Sequence, residues 1–351
     1  MSRLAKKNVT LKDIAKAANV SGTTISRYLN GKFDYMSADT RQTIEKVIKE
    51  LDYRPSNIAR SLKSQKSMLL GAVIADIENP FSNTIIKGLS DRANELNYSL
   101  MVAVSDGSKE QEQKHIQRFL DNRVDGLVIN TVGENEDYLM SLKKEHVPIV
   151  LLDKSISDKS YDCITSNNYN LSKELTQHLV EEGVNSIGYF TPTLTSNTVQ
   201  QNRFQALEDV LKNHSDIEMK QYITVKGQTD SLSEAVKDFF KLPEPRVLIA
   251  ANGLILLNVL KEIEKSGKRI AVDYGICGFD DIQSASIISP GITTVAQNSY
   301  GLGKESTSLL VQKINEKKED YSVIYKELPG ELKIRKSTRI EEWERKGISN
   351  G

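Results

Sequence analysis

Gly22, Thr23, Thr24, Ser26 and Arg27 are the side chains of this sequence best suited to touch a polyanion at close range. Small hydroxyl-bearing groups at a helix start can approach phosphates and base edges, and an arginine one turn later can fork onto guanine N7 and O6 in a major groove. Thr10, Ser21 and Asn30 bracket this face and join it as candidate contacts. A second set lies far downstream: Asp76, Phe81, Asn130, Asp153, Lys154, Arg203, Asn252 and Asp280 stand where short apolar runs end or where the following helix begins. Carboxylates, amides and cations at such places suit a hydroxyl-rich small ligand. Arg203 adds a planar fork that can take a carboxylate through two bonds. Taken singly, an Asn or Asp there is equally consistent with a helix cap, and it is the recurrence that favours a site.

The elements that would position the first set are short. Thr10 can cap a helix with Asp13 three residues on, and Leu11, Ile14, Ala15 and Ala18 share its apolar face. Asn19 breaks that helix, Val20 plugs the junction, and Ser21 can cap a second helix whose Ile25, Tyr28 and Leu29 turn inward. Residues 37–51 read as a third helix, with Ser37 as cap and Ile44, Val47, Ile48 and Leu51 inward. Pro55 then opens a short polar helix. This is the layout of a helix-turn-helix; a plain helical hairpin with a solvated polar face is the alternative. Charge separates the two readings. Residues 1–66 hold 14 Lys and Arg against 6 Asp and Glu, although the whole chain is formally neutral. A basic segment that coincides with the motif favours double-stranded DNA as partner.

From Met68 onward, apolar runs such as MLLGAVIA, SLMVAV, GLVIN and PIVLLD alternate with amphipathic stretches at 81–96, 109–122 and 136–145. The rhythm restarts at CITSNN and continues through SIGYFT, YITVKG, RVLIAAN and YGICGFDD, with helices beginning near Tyr169, Thr198, Ser231, Gly253 and Ile282. Right-handed β-α-β units in two similar halves are implied, with a ligand cleft at the carboxyl ends of the strands.

The stretches TLKDIAKAANVSGTTISRYLNG, YRPSNIARSL, GFDD and ISPGITTV resemble the LacI/GalR family of bacterial repressors, over residues 9 to about 338. The resemblance implies an N-terminal all-α helix-turn-helix domain (1–55), a hinge helix and linker (56–67), and an α/β core like the periplasmic sugar-binding proteins (68–340), built of two parallel-sheet subdomains. By that similarity the N-terminal subdomain is 68–165 plus 294–324, the C-terminal one is 166–293 plus 325–340, and 341–351 is a tail. It also implies that Tyr53, Asn57, Ala59 and Leu62 belong to the DNA contact, with Leu62 as a minor-groove wedge, and that Asn130, Asp153, Arg203, Asn252 and Asp280 align with effector contacts. Two departures stand out. The family usually has Asn-Asp where this chain has Asn252-Gly253, which bears on cleft electrostatics, and Gly where it has Gln205, which bears on how that helix packs.

The function so implied is a cytoplasmic homodimeric repressor whose operator affinity is controlled by a small sugar or sugar acid. The stretches GFDDIQSASIISPGITT and AANGLILLNVL look like regulators of ketodeoxygluconate and hexuronate use within the family. A catabolite-control type governed by a phosphoprotein, or a sugar-acting enzyme, are the alternatives. Against the enzyme, GxGxxG, GxxxxGK[ST] and GxSxG are all missing, and His115, His146, His178 and His214 fall mainly in helical stretches. Cys163 and Cys277 sit in apolar runs and read as core thiols, so neither a metal nor a cofactor is expected. No apolar run reaches transmembrane length, and the tail, with Trp343, carries no leucine heptad for a tetramer.

Overall fold

The computed structural model describes residues 9–343 apart from 30, 53–65, 158, 196, 226 and 317–321. The chain forms two compact units that part between Met68 and Leu69. In the first, α1 (Leu11–Ala17) opens on the capping box: the Asp13 amide donates to Thr10 Oγ1, and the Thr10 amide donates to the Asp13 carboxylate at 2.8 Å. Asn19 takes a left-handed φ of +52°, which turns the chain so that the Val20 amide returns to the Ala15 carbonyl. The Ser21 hydroxyl then accepts from the Thr24 amide at 3.1 Å and starts α2 (Gly22–Leu29). Ser37 does the same for α3 (Ala38–Glu50). Ile14, Ile25 and Ile44, one from each helix, are fully buried together with Ala15, Ala18 and Val47.

The second unit holds two six-stranded sheets. The first runs β2 (Ser99–Val104), β1 (Leu69–Ile74), β3 (Gly126–Ile129), β4 (Ile149–Leu152), β5 (Asp162–Ser166), β11 (Tyr325–Leu328), all parallel. The second runs β7 (Glu218–Ile223), β6 (Ser186–Thr191), β8 (Arg246–Ala250), β9 (Gly275–Phe279), β10 (Thr293–Ala296), β12 (Glu331–Lys333), with only β12 antiparallel. The connecting helices are α4 (Pro80–Glu95), α5 (Lys109–Asp121), α6 (Glu136–Lys144), α7 (Asn168–Glu181), α8 (Thr198–Leu211), α9 (Thr229–Phe239), α10 (Gly253–Glu264) and α11 (Ser299–Asn315). Central strands are buried along their whole length, as a sheet covered on both faces requires. Gly88 of α4 and Gly303 of α11 let these helices meet backbone to backbone, since a Cβ on either would strike the main chain of the other.

The subdomain boundaries differ from those expected. β10 pairs with β9, so residues 293–296 belong to the second subdomain rather than opening the return to the first. β11 pairs with β5, so residues 325–328 complete the first sheet, and the chain crosses for the third time only between Leu328 and Glu331. β5 itself lies beside β4, so the first subdomain runs to about residue 166, in line with the bound at 165, although the strand rhythm restarts at CITSNN. The later boundaries differ because β11, Tyr-Lys-Glu-Leu, is an edge strand with three exposed residues and no apolar run to announce it. Near Ile282 the helix shrinks to a 3₁₀ turn, Gln283–Ser286. Nor is the tail wholly separate: Trp343 packs against the second core and lies close to Gly275. Cys163 and Cys277 are free and buried, as read from the sequence, and burial raises both thiols.

Candidate nucleic-acid interface and effector cleft

In the first unit, Thr10, Ser21, Gly22, Thr23 and Arg27 are exposed, and Thr24 and Ser26 half-buried, on the side of α2 away from Ile25. Thr24 has a second duty, because its hydroxyl bonds Ser21 Oγ at 3.0 Å within the cap. The Arg27 guanidinium lies 4.9 Å from the ring centre of Tyr35, which is 65% exposed. An exposed aromatic that steadies this arginine was not foreseen, since Tyr35 sits in a 3₁₀ turn, Phe33–Tyr35, outside any helical period. Asn30, Tyr53, Asn57, Ala59 and Leu62 lie outside the described residues.

In the second unit the candidates sort by what their polar atoms already do. Asp153 and Asp280 occupy equivalent places after β4 and β9, both with left-handed φ (+69° and +73°). Each amide bonds the neighbouring strand, Asp153 to the Ile164 carbonyl at 2.8 Å and Asp280 to that of Val295 at 3.0 Å. Their carboxylates differ. Asp280 accepts from the Gly253 amide at 2.8 Å and from Gln297 Nε2 at 2.6 Å. Asp153 Oδ1 is buried with no hydrogen-bond partner among the described residues. Burial pushes both carboxyls above the usual carboxylate range, opposed by the Arg203 guanidinium.

Arg203, itself only 2% exposed, is largely committed to the protein. Its Nε donates to Asn168 Oδ1 at 2.8 Å, its Nη1 to the Ala251 carbonyl at 2.6 Å, and its plane lies 3.7 Å from the ring centre of Phe279. Burial lowers its pKa, against the pull of Asp280 and Asp153. Lys154 is half-buried and donates no side-chain hydrogen bond to another described residue. Burial pulls its ammonium down, against Asp153, Glu112 and Asp76.

The remaining candidates serve local structure. Asn130 straps strand ends together, accepting from the Ala75 amide at 3.3 Å and donating to the Leu152 carbonyl at 3.1 Å. Asn252 caps α10, with Oδ1 on the Ile255 amide at 2.9 Å, so for its side-chain oxygen the capping reading holds. Asp76 accepts from the Glu78 amide at 2.8 Å, and Phe81 is buried in the first turn of α4. Gly253 accounts for one departure from the family: a Cβ there would meet Asp280 Cβ at 3.2 Å, and its bare amide lets Asp280 sit on the start of α10. Gln205 is exposed and bonds Asp209, so it leaves the inward packing of α8 untouched.

Sequence reasoning missed Gln297, Asn168, Phe279 and Thr198. Gln297 follows β10 at a crossing and carries a buried Oε1 without partner among the described residues. Thr198 Oγ1 accepts from the Ser155 amide at 3.3 Å and so joins the two subdomains beside Asp153 and Lys154. Two surface cavities of the second subdomain, about 460 and 800 Å³, are lined by none of these residues. Among the described residues there is no group of three or more His, Cys, Asp or Glu that could hold a metal, and no helix long and apolar enough to cross a membrane.

The state of Asp153 has a measurable consequence. A carboxyl whose folded pKa is raised holds its proton more tightly folded than unfolded, so ionised Asp153 weighs against folding at neutral pH and stability recovers as pH falls through its folded value. Asparagine removes the charge and tolerates a left-handed φ. Asp153→Asn is therefore expected to raise the melting temperature at neutral pH, by about 2–4 °C for each ~1 kcal/mol relieved. The gain should shrink on acidification, and ligand binding should weaken. A variant that melts below the wild type at neutral pH would contradict this account of Asp153.

Comparison with known proteins agrees along the whole chain. Residues 10–56 match the family described as bacterial regulatory proteins, lacI family, and residues 67–331 match periplasmic binding proteins and sugar binding domain of LacI family. The HTH-type transcriptional regulator KdgR of Bacillus subtilis (strain 168) is 35% identical over 96% of this chain and 100% of its own. The probable HTH-type transcriptional regulator EndR of Paenibacillus polymyxa is 32% identical over 89% and 92%. A crystal structure of the lac repressor dimer bound to operator and the anti-inducer ONPF superposes with a TM-score of 0.79 at 26% identity, covering 95% of this chain and 99% of that one. A helix-turn-helix that buries one isoleucine from each of three helices, followed by paired sheets whose strand-end aspartates flank a buried arginine, thus places the chain in the LacI family of bacterial transcriptional regulators.

Proposed function

We propose that this protein is a cytoplasmic, homodimeric repressor that binds a double-stranded operator through α2 and a hinge segment, and releases it when a small sugar acid enters the cleft between its subdomains. The observation that carries this reading is the convergence of Asp153, Lys154, Arg203 and Asp280 at the carboxyl ends of both sheets, with acceptor capacity left over on Asp153. Two connections tie that cluster to the elements that must move. Gln297, on a crossing, bonds Asp280, and Ser155 bonds Thr198 of the opposite subdomain. A ligand with unequal affinity for open and closed arrangements would shift their populations and, through the hinge segment, operator affinity. The dimer is taken from the lac repressor relative, and the acidic effector from the likeness to the KdgR-named regulator. Fluorescence anisotropy on a labelled operator, with ketodeoxygluconate, galacturonate, gluconate and neutral sugars added in turn, tests it. Release by one of the acids is the expected result, and an operator complex indifferent to every sugar and sugar acid would refute it.

A further inference from the structure

We propose that Lys154, rather than Arg203, receives the anionic end of the effector and sets the preference for an acid over a neutral sugar. The inference rests on the cleft reading above and deepens it. Arg203 looks the better anion receptor from sequence, but Nε and Nη1 are spent on Asn168 and Ala251, and one face of the guanidinium lies on Phe279. It already stands between the Asp153 and Asp280 carboxylates, so a further carboxylate there would be the third anion around one cation. Its place is that of a keystone holding α7, α8 and the end of β8 together.

Lys154 is in the opposite condition. None of its three ammonium protons is bonded to another described residue, although the group is half-buried and loses hydration. A desolvated donor without an acceptor is costly, and a carboxylate brought by the ligand removes that cost. Nearby Glu112 does not supply it. Its Oε1 accepts from Thr131 Oγ1 at 3.0 Å and Asn135 Nδ2 at 2.9 Å, and its Oε2 from the Val132 amide at 2.7 Å, which fixes the loop after β3. Asp153, the preceding residue, has an unpartnered buried oxygen. Donor and acceptor thus stand side by side, fit for the carboxylate and an adjacent hydroxyl of one sugar acid. The next residue, Ser155, makes the bond to Thr198 across the cleft, so a ligand gripping 153–154 acts directly on a contact between subdomains.

Calorimetry on the full-length protein with 2-keto-3-deoxygluconate, gluconate and galacturonate, each beside its uncharged methyl ester, reads the acid-over-ester ratio. The wild type should prefer the acid by about 10- to 100-fold, the value of a charge-assisted bond. Lys154→Met should bring that ratio near one, and Lys154→Arg should keep most of it. Arg203→Lys should weaken acid and ester alike and leave the ratio intact. A ratio retained in Lys154→Met, or lost in Arg203→Lys, returns the anion to Arg203 and overturns the proposal. Equal binding of acid and ester by the wild type overturns it while leaving a carbohydrate effector standing. Binding of neither by the wild type overturns it together with the sugar-acid effector on which it rests.

Discussion

Operator affinity should fall by about a thousandfold or more as salt rises from about 50 to about 200 mM, because a basic segment that neutralises several phosphates displaces as many counterions. The charge that drives this is local. Residues 1–66 carry 14 basic against 6 acidic side chains in a chain that is neutral overall. Within that segment the roles differ. Arg27, which lies over the Tyr35 ring, is the proposed reader of bases, so Arg27→Ala should cost about 1–3 kcal/mol on the cognate operator and little on random DNA. Lys6→Ala or Lys7→Ala should weaken all sequences alike and flatten the salt slope. Titrations at several salt concentrations, with cognate and scrambled duplexes, separate these effects. An affinity independent of salt would remove the phosphate contacts from the account.

Arg203→Ala should unfold the effector domain at a markedly lower temperature. The substitution leaves Asn168 Oδ1 without its donor, leaves the Ala251 carbonyl only the longer bond from Gln200 Nε2 at 3.4 Å, and removes the cation that most favours the ionised form of two buried carboxyls. Breaking one side of a buried charge cluster costs about 3–5 kcal/mol. At about 2–4 °C per kcal/mol in a domain of this size, the melting temperature should drop by roughly 10 °C. The loss also has a pH signature. Without Arg203 the Asp153 and Asp280 carboxyls rise further, so the deficit is greatest at neutral pH and narrows as acid protonates them. Melting curves at neutral and acid pH decide it, and an unchanged midpoint would mean the guanidinium is not a keystone.

Much of this was legible in the sequence because local chemistry agreed with the fold. Thr10 with Asp13, Ser21 and Ser37 cap the helices they were expected to cap, and Ile14, Ile25 and Ile44 meet in one core. The ends of the central strands were legible for the same reason, since buried parallel strands are continuous apolar runs, whereas the polar edge strand β7, Glu218–Ile223, was expected too late in the chain, at YITVKG. What escaped was non-local. β11 is a polar edge strand, so the third crossing was placed too early. Whether Asn130 or Asn252 faces a ligand or a backbone group depends on partners distant in sequence or on the cap geometry, and the whole Asn130 amide and the Asn252 side-chain oxygen turned out to be bonded to backbone groups. Gln297 and Thr198 carried no periodic signal, because each is defined by a partner distant in the fold: Asp280 at the end of the neighbouring strand for Gln297, and Ser155 of the opposite subdomain for Thr198. Arg203 was singled out from the sequence, but its commitment to Asn168 and Ala251 could be seen only once α7, α8 and β8 were in place.

The docking of Trp343 on the second core turns the chain's single indole into a reporter with a known address. It sits against Gly275 at the start of β9, the strand that ends in Asp280, with its Nε1 buried and unpartnered among the described residues. Indole emission, excited at wavelengths beyond tyrosine absorption, therefore speaks for one subdomain only. A shift in its colour marks a change where the C-terminal segment meets the second sheet, and melting of the helical DNA-binding unit passes unseen by it.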